Sequence, residues 1–540
     1  MRKFLLVLIL ILAAALRLVA LTSFPSGFNA DEAALGYNAY SLLLTGKDEH
    51  GHPWPVNLES FGDYKPALYA YLLIPFIKVM GLTELAVRLP SALLGILSVA
   101  LIYALAKLLV PKAKYFPHLA ALGLAISPWA IHFSRGGWEV NLATTLLLAG
   151  CWLFVTWTRS LRVWHLSSAF ICFVLTLYAY QSTRVVSPLL VIGLLIIYRR
   201  LVFSHFRRFV ISCLLPVLLL VPLVISLTGV GVASRFSGVG LTADIGPVNR
   251  INQFRGQHSA RTQLLAKILY NRPVVYTLKF ISNYFDHFSP VFLFISGDEV
   301  ARNRVPETGV LYLTDFIFLA LGAVYLWRRP GPHTRLIWLW LGVAPVASAL
   351  TFQTPSALRA FPLVIPLVLL IALGVNYLLD LIRSKKLLVF SSIILIIIYG
   401  YQFTRYLHEY YINYPAAYPA AWEYGFSQLV PYVQSVQSKY QRVLVTDKYD
   451  QPYILFLFFS RYPPQDFQNH HVLTFRDQFN FSTVRDYGKF HFASTPWDQV
   501  RDIHSALIVA APEDIPSVGV NIVKTIYFPN GDPAFKIISN

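Results

Sequence analysis

Eleven long apolar runs dominate the chain, at about residues 4–22, 85–110, 116–133, 140–158, 164–181, 185–198, 208–228, 310–328, 335–352, 360–382 and 386–403. Crossing about 30 Å of hydrocarbon takes roughly 20 apolar residues as a helix, the only single-segment structure that satisfies its own backbone there. The runs therefore predict a polytopic α-helical membrane protein with about eleven transmembrane helices, the shortest at 185–198. Only 13% of the 540 residues are charged and 56% are hydrophobic. A soluble globular enzyme carries roughly 25% charged residues, and a disordered chain lacks apolar ones. Both are excluded. Cys151, Cys172 and Cys213 all fall inside apolar runs, so neither a disulfide framework nor a cysteine metal site is expected.

The net charge of +18 is a topology signal, because the basic residues crowd into alternate short loops. With the N-terminus cytoplasmic, the inner loops hold clusters such as Lys112 and Lys114, Arg199 to Arg208, and Arg383 to Lys386. The short outer turns hold only Arg135, Arg184 and Arg359. That asymmetry predicts a multi-pass protein of the cytoplasmic membrane whose C-terminus lies outside. Arg17 interrupts the first run and no small-x-small site follows it, so that run reads as a span and not as a cleaved leader.

Three segments escape the membrane, all on the outer side: the first loop at about 23–66, a long loop at about 229–309, and the tail. The stretch 67–80 is apolar but short and contains Pro75, which predicts an interfacial helix lying on the bilayer. In the tail, 442–446, 505–510 and 523–527 read as buried strands and 422–437 as helix, giving a small α/β domain. The expected division is a transmembrane domain over 1–405 and an extracytoplasmic α/β domain over 406–540.

Chemistry concentrates in the first loop, where six acidic residues face two basic ones, Lys47 and Lys65. Asp31-Glu32 opens a helix-like stretch that includes Tyr37. Carboxylates in a first helical turn are ordinary dipole partners, and a carboxylate at the membrane surface also suits a general base for an acceptor hydroxyl or amine. Spacing alone does not choose between Asp31 and Glu32. Asp63-Tyr64-Lys65 places a cation beside an aromatic ring just before the interfacial helix, where a phosphate would sit. Arg88, Arg135, Arg184 and Arg359 add guanidinium groups at outer helix ends, against the positive-inside bias, with pairing to Glu84 or Glu139 as the bland alternative. His50-Gly-His52, beside Asp48 and Glu49, offers ligands to a divalent cation but lacks the i, i+4 spacing of a helical site, so no metal ligand is assigned. Asp298, Glu299, Arg302 and Arg304 in the long loop are candidates for a substrate vestibule.

The order of these features resembles the C-type glycosyltransferases. Asp31-Glu32 with Tyr37, then Thr45-Gly-Lys-Asp-Glu-His-Gly51, Lys65-Pro66 and Ala86-Val-Arg-Leu-Pro-Ser-Ala92 are similar to the bacterial relatives of the protein O-mannosyltransferases and to the lipid A aminoarabinose transferases. The resemblance covers roughly residues 1–425. It is supported by Ser134-Arg-Gly-Gly-Trp-Glu139, Tyr180-Gln-Ser-Thr-Arg184 and Pro355-Ser-Ala-Leu-Arg359, and it is vague in the tail.

The resemblance implies inverting transfer of a sugar from a polyprenyl-phosphate carrier to a lipid, protein or polysaccharide acceptor on the outer face. It implies Asp31 as base, with Glu32 beside it in the catalytic pair, and Lys65, Arg135, Arg184 and Arg359 on the carrier phosphate. Tyr37, Asp63, Tyr64, Glu139 and His50 stand as substrate contacts. Where the aminoarabinose transferases have an acidic residue directly before the lysine, this chain has Tyr64, with Asp63 one position earlier. A carrier phosphate is its own leaving group, so no nucleotide cofactor is needed, and no phosphate-binding loop is visible. No nucleic-acid partner is expected. The rival reading is a transporter or flippase for an anionic lipid or lipid-linked sugar, which would place its charges near the bilayer midplane in repeated halves.

Overall fold

The computed structural model describes residues 2–227, 240–475, 482–516 and 518–540. The N-terminal half begins with helix α1 (Arg2–Leu18), α2 (Ala30–Thr45), a hairpin of β1 (Asn57–Ser60) and β2 (Asp63–Pro66), α3 (Leu68–Met80) and α4 (Glu84–Leu109). Every one of the eleven apolar runs carries helix. Among the described residues, five helices are long and apolar enough to cross a membrane: Glu84–Leu109, Glu139–Ser160, Phe206–Leu227, Phe361–Leu381 and Lys385–Ala417. Their composition places the chain in a membrane. Phe361–Leu381 is buried over most of its length at the centre of the bundle, whereas Lys385–Ala417 lies on its rim.

Two runs are not continuous helices. The run at 116–133 divides into Phe116–Ile126 and Pro128–Arg135, because Pro128 has no N–H to continue the ladder and the Ser127 hydroxyl caps a new helix on the Ala130 N–H at 3.3 Å. The run at 335–352 is likewise split between Pro332–Val343 and Val346–Ala349. α3 occupies the stretch expected to lie on the bilayer surface, and it packs Tyr69, Ala70, Leu73 and Ile77 inward against α2 and α4. Residues 229–239 of the segment expected as the long outer loop lie outside the described residues, and its remainder holds helices Gly246–Gly256 and Arg272–Asp286.

The tail carries a seven-stranded mixed sheet. The expected strands are β3 (Arg442–Val445), β7 (Ala506–Ala510) and β8 (Ile522–Tyr527); the sheet adds β4 (Val472–Leu473), β5 (Val484–Tyr487), β6 (Phe490–Phe492) and β9 (Pro533–Ser539). Their order across the sheet is β4-β5-β6-β3-β7-β9-β8. β3 runs parallel to both its neighbours, β6 and β7, and its residues Val443 and Val445 are fully buried. The expected helix at 422–437 is a short 3-10 turn, Ala420–Trp422, followed by Phe426–Val436.

A second tail helix, Pro452–Ser460, ties the sheet to the first loop. Its apolar sequence packs on α2 at Gly36, where a Cβ would stand 2.7 Å from the Phe458 ring. Tyr37 Oη donates to the Tyr462 carbonyl at 3.1 Å, and Gln468 Nε2 donates to the Asp48 carbonyl at 2.8 Å. Tail and first loop therefore share one packed interface, and the candidate site lies along it.

Candidate functional site

The first turn of α2 is set by its cap. The Asn29 side chain accepts the Glu32 N–H at 3.0 Å and Glu32 reaches back to the Asn29 N–H at 3.4 Å, a reciprocal capping box. Successive helical residues point about 100° apart, so Asp31 and Glu32 cannot share an environment. Glu32 is fully buried and grips Arg88 with two 2.9 Å bonds to Nε and Nη2, while also accepting the Gly137 N–H at 2.8 Å. Arg88 in turn donates to the carbonyls of Leu21, Pro25 and Gly27 at 3.2, 3.1 and 2.5 Å. This bidentate pair pins the start of α4 to the first loop. Glu32, expected in the catalytic pair, is thus saturated by structural partners and sealed from solvent. The pairing expected for Arg88 with Glu84 or Glu139 is made with Glu32.

Asp31 faces the other way. Its side chain is 27% exposed and ion-pairs with the Lys65 ammonium and, at 3.4 Å, with Arg302 Nη2. Lys65 is delivered by the β1–β2 hairpin, in which it stands opposite Leu58, and its ammonium lies 4.4 Å over the Phe61 ring. Asp63 shares its face of the strand and accepts the Tyr64 N–H at 2.8 Å. Arg302 lies in a short turn fastened from several sides. Its carbonyl bonds to His132 Nε2 at 2.8 Å and accepts the Tyr414 hydroxyl at 3.1 Å, and Asp298 takes the Val300 and Ala357 N–H groups at 2.9 and 2.6 Å.

The tail adds two carboxyl groups. Asp450 Oδ2 is 3.7 Å from Arg302 Nη1, and Glu423 is 4% exposed with no hydrogen-bond partner for Oε2. Burial drives the Glu423 carboxyl well above its usual range; Arg302 opposes that rise, and Asp450, Asp31 and Glu32 add to it. Burial also raises Asp450, against the pull of Arg302 and with a push from Asp31. Burial alone would lower Arg302, but Asp31, Glu423 and Asp450 outweigh it and raise its pKa. Glu423 and Gln451, beside Asp450, both adopt left-handed backbone at φ 45° and 49°, a strained conformation that tertiary contacts impose. Gly27 makes room for the Glu423 segment: at φ +99° it lies where a Cβ would sit 2.2 Å from the Trp422 carbonyl oxygen. Together Asp31, Lys65, Arg302 and Asp450 form a chain of alternating charge between the first loop, the long loop and the tail, with the buried Glu423 carboxyl behind it.

Comparison of the whole structure with solved ones gives ArnT from Cupriavidus metallidurans, in a structure with bound undecaprenyl phosphate. It superposes with a TM-score of 0.55 at 12% identity over 98% of this chain and 97% of that one. The apo oligosaccharyltransferase of Archaeoglobus fulgidus matches with a TM-score of 0.51 at 13% identity over 85% of this chain and 63% of that one. This is the fold of the C-type glycosyltransferases. The resemblance expected over residues 1–425 extends, as fold, through the tail. No protein-family model matches the chain, and no curated protein matches it by sequence.

Within this glycosyltransferase fold the remaining candidates fall into distinct places. Arg135, expected on the carrier phosphate, is fully buried and caps the end of α1. Its Nη1 donates to the Leu16 carbonyl at 2.8 Å, and its Nη2 donates to the carbonyls of Val19 and Ala20 at 2.8 and 3.0 Å. A guanidinium so engaged serves as a helix clamp. Tyr37, expected to contact substrate, is buried in the α2–tail interface described above. His50 is also an interface residue: Nδ1 faces His471 Nε2 at 3.2 Å, and burial, with His471 and His52 nearby, lowers its pKa to about 3. Among the described residues, no three His, Cys, Asp or Glu side chains converge as metal ligands.

The other candidates lie on the rim of the hairpin and the long loop. Arg184 donates to Asn57 Oδ1 at 2.5 Å and to Gln181 Oε1 at 3.1 Å, and Gln181 donates to the Tyr64 carbonyl at 2.8 Å, so Arg184 braces the strand pair that presents Lys65. The Tyr64 hydroxyl reaches Glu59 at 3.3 Å. Arg359 Nη1 donates to the Gln353 carbonyl at 3.3 Å, and Glu139 starts the helix Glu139–Ser160 and is 9% exposed. Asp450 and Glu423 were missed from sequence. A signal for Asp450 existed: it follows β3, a strand with parallel neighbours, and ligands in such sheets gather beyond the carboxyl ends of the strands.

Proposed function

We propose that this chain is an integral membrane glycosyltransferase. It transfers a hexose or pentose from a polyprenyl-phosphate carrier to a lipid, protein or polysaccharide acceptor on the outer face of the cytoplasmic membrane, with inversion at the anomeric carbon. Residues 1–405 form the membrane domain with the N-terminus inside, and 406–540 an extracytoplasmic α/β domain. The observation that carries this reading is Asp31: the carboxylate beside it in sequence is locked into a buried ion pair, whereas Asp31 is open to solvent between two cations, Lys65 and Arg302. The fold shared with ArnT, which binds undecaprenyl phosphate, supports the same donor class.

In this mechanism the carrier phosphate is drawn to Lys65 and Arg302, whose pairs with Asp31 loosen as the anion arrives. The bond between the anomeric carbon and the phosphate oxygen breaks, and the cations stabilise the negative charge gathering on the departing phosphate. An acceptor hydroxyl or amine attacks from the opposite face and gives its proton to Asp31. Asp450 holds Arg302 in place. A panel of radiolabelled polyprenyl-phosphate sugars offered to wild type and Asp31→Asn in liposomes tests this. Loss of sugar from one donor with wild type alone is expected. Equal lipid binding or crossing by both proteins, with no donor consumed, would replace the transferase with a transporter.

A further inference from the structure

The long outer segment carries an apolar surface that the bundle leaves uncovered. Along helix Arg272–Asp286 the exposed residues Val274, Leu278, Ile281 and Phe285 fall within about 60° of arc. The opposite side is fastened to the protein: Asn283 is fully buried and its Nδ2 donates to the carbonyls of Ala349 and Thr351 at 3.3 and 2.8 Å. Just beyond the helix, His287 Nε2 meets the Ser348 hydroxyl at 2.7 Å and the Ser356 N–H at 3.2 Å. The apolar stripe therefore points directly away from its own anchor. The neighbouring helix Gln263–Leu269 adds Leu264, at 74% exposure, and Ile268, at 59%.

Charge says what covers this surface. From 244 to 286 the chain has six basic residues against two acidic ones, Asp244 and Asp286, although it lies on the side where basic residues are disfavoured. Beside the stripe is a cavity of about 570 Å³ whose wall includes Arg250, Lys279, Phe254, Tyr270 and Ser282 and one acidic residue, Asp244, with Arg250 resting 5.3 Å over the Phe254 ring. Leu278 belongs both to the stripe and to the cavity wall, so the cavity opens at the edge of the apolar face. Further along the chain the exposed apolar positions continue through Val291, Ile295, Leu313, Phe316 and Ile317 into the helix Asp315–Arg328, one of the expected spans. An apolar stripe with cations at its flank is the composition of a helix seated in a headgroup layer.

We propose that helix Arg272–Asp286 lies in the outer leaflet and that the cavity behind it receives the phosphate of an anionic phospholipid between Arg250 and Lys279. The seating reaches the site mechanically. His287 holds Ser356, Asp298 holds the adjoining Ala357, and Asp298 also fixes the turn that carries Arg302.

The test uses full-length protein with Cys151, Cys172 and Cys213 replaced, reconstituted in vesicles. It carries an environment-sensitive fluorophore at Leu278→Cys or Phe285→Cys, with Asp498→Cys on the tail as the water reference. Nitroxide-labelled lipids are expected to quench the 278 and 285 labels but not the 498 label. Quenching is expected to be stronger in phosphatidylglycerol than in phosphatidylcholine vesicles. Arg250→Gln with Lys279→Gln should weaken that preference roughly tenfold. Labels at 278 and 285 that respond to aqueous iodide like the 498 label would overturn the proposal. Lipid quenching indifferent to headgroup charge and to the double substitution would overturn the phosphate site.

Discussion

Asp31 and Glu32 are neighbours in sequence, in the same helical turn, with the same ionised group, yet their surroundings are opposite. Glu32 has five donors around it, including both ends of a bidentate arginine, and no contact with solvent. Asp31 keeps solvent access and is held by cations from two different segments, each of which an arriving anion could draw away. A carboxylate that must accept a proton needs accessible lone pairs; one that must hold two helices together needs every lone pair occupied. In the proposed mechanism the chain separates these tasks by one residue and about 100° of helical rotation.

The sharpest way to break this contrast is to remove each charge in turn. Asp31→Asn should lower sugar transfer by about 10² to 10⁴, the range for loss of a general base, and leave the melting temperature in detergent unchanged. Glu32→Gln should do the reverse: stability should fall by about 3–5 kcal/mol because Arg88 is left buried and unpaired. Next in size, Lys65→Met and Arg302→Met should each weaken donor use by about tenfold to a hundredfold, read as a rise in KM with a fall in kcat.

A pH measurement extends the comparison to a third carboxyl group of the same loop. Glu49 is buried, and burial raises its pKa to about 8 despite a 2.6 Å bond from the Ser60 hydroxyl. The folded chain therefore keeps a proton that the unfolded chain releases above about pH 4.5. Stability contributed there is lost as pH rises toward 8. His50, lowered to about 3, works in the opposite sense, and its contribution is lost only as pH falls below its ordinary value of 6.5. Between pH 6.5 and 8 the melting temperature of wild type should fall with pH, and in Glu49→Gln that slope should flatten. The smallest expected effect is Tyr37→Phe, which removes one bond from the α2–tail interface and should cost about 1 kcal/mol with activity retained.

The helices were legible because hydrophobicity over about 20 residues is a local property. Breaks at Ser127 and near Ala344 were not, since they depend on a proline and a hydroxyl cap inside an otherwise apolar run. Asp31 and Lys65 could be read from their motifs, and the structure brings them together. Composition could not separate Glu32 from Asp31, because the difference is made by Arg88, 56 residues away, and by the Gly137 N–H. Arg135 looked like an anion-binding group for the same reason that Arg88 did: a guanidinium at an outer helix end serves backbone carbonyls as readily as a phosphate. Asp450 and Glu423 reach the site only through the folding of a sheet whose strands β4, β5 and β6 carry weak local signals.

The most direct test of the account is a side-by-side measurement of polyprenyl-phosphate release from a consumed donor and of thermal unfolding, on wild type, Asp31→Asn and Glu32→Gln in the same liposomes and detergent. Release lost with unfolding unchanged in Asp31→Asn, together with early unfolding in Glu32→Gln, is the predicted result. Wild-type release in Asp31→Asn would contradict it, and so would a Glu32→Gln protein that folds as wild type but no longer turns over.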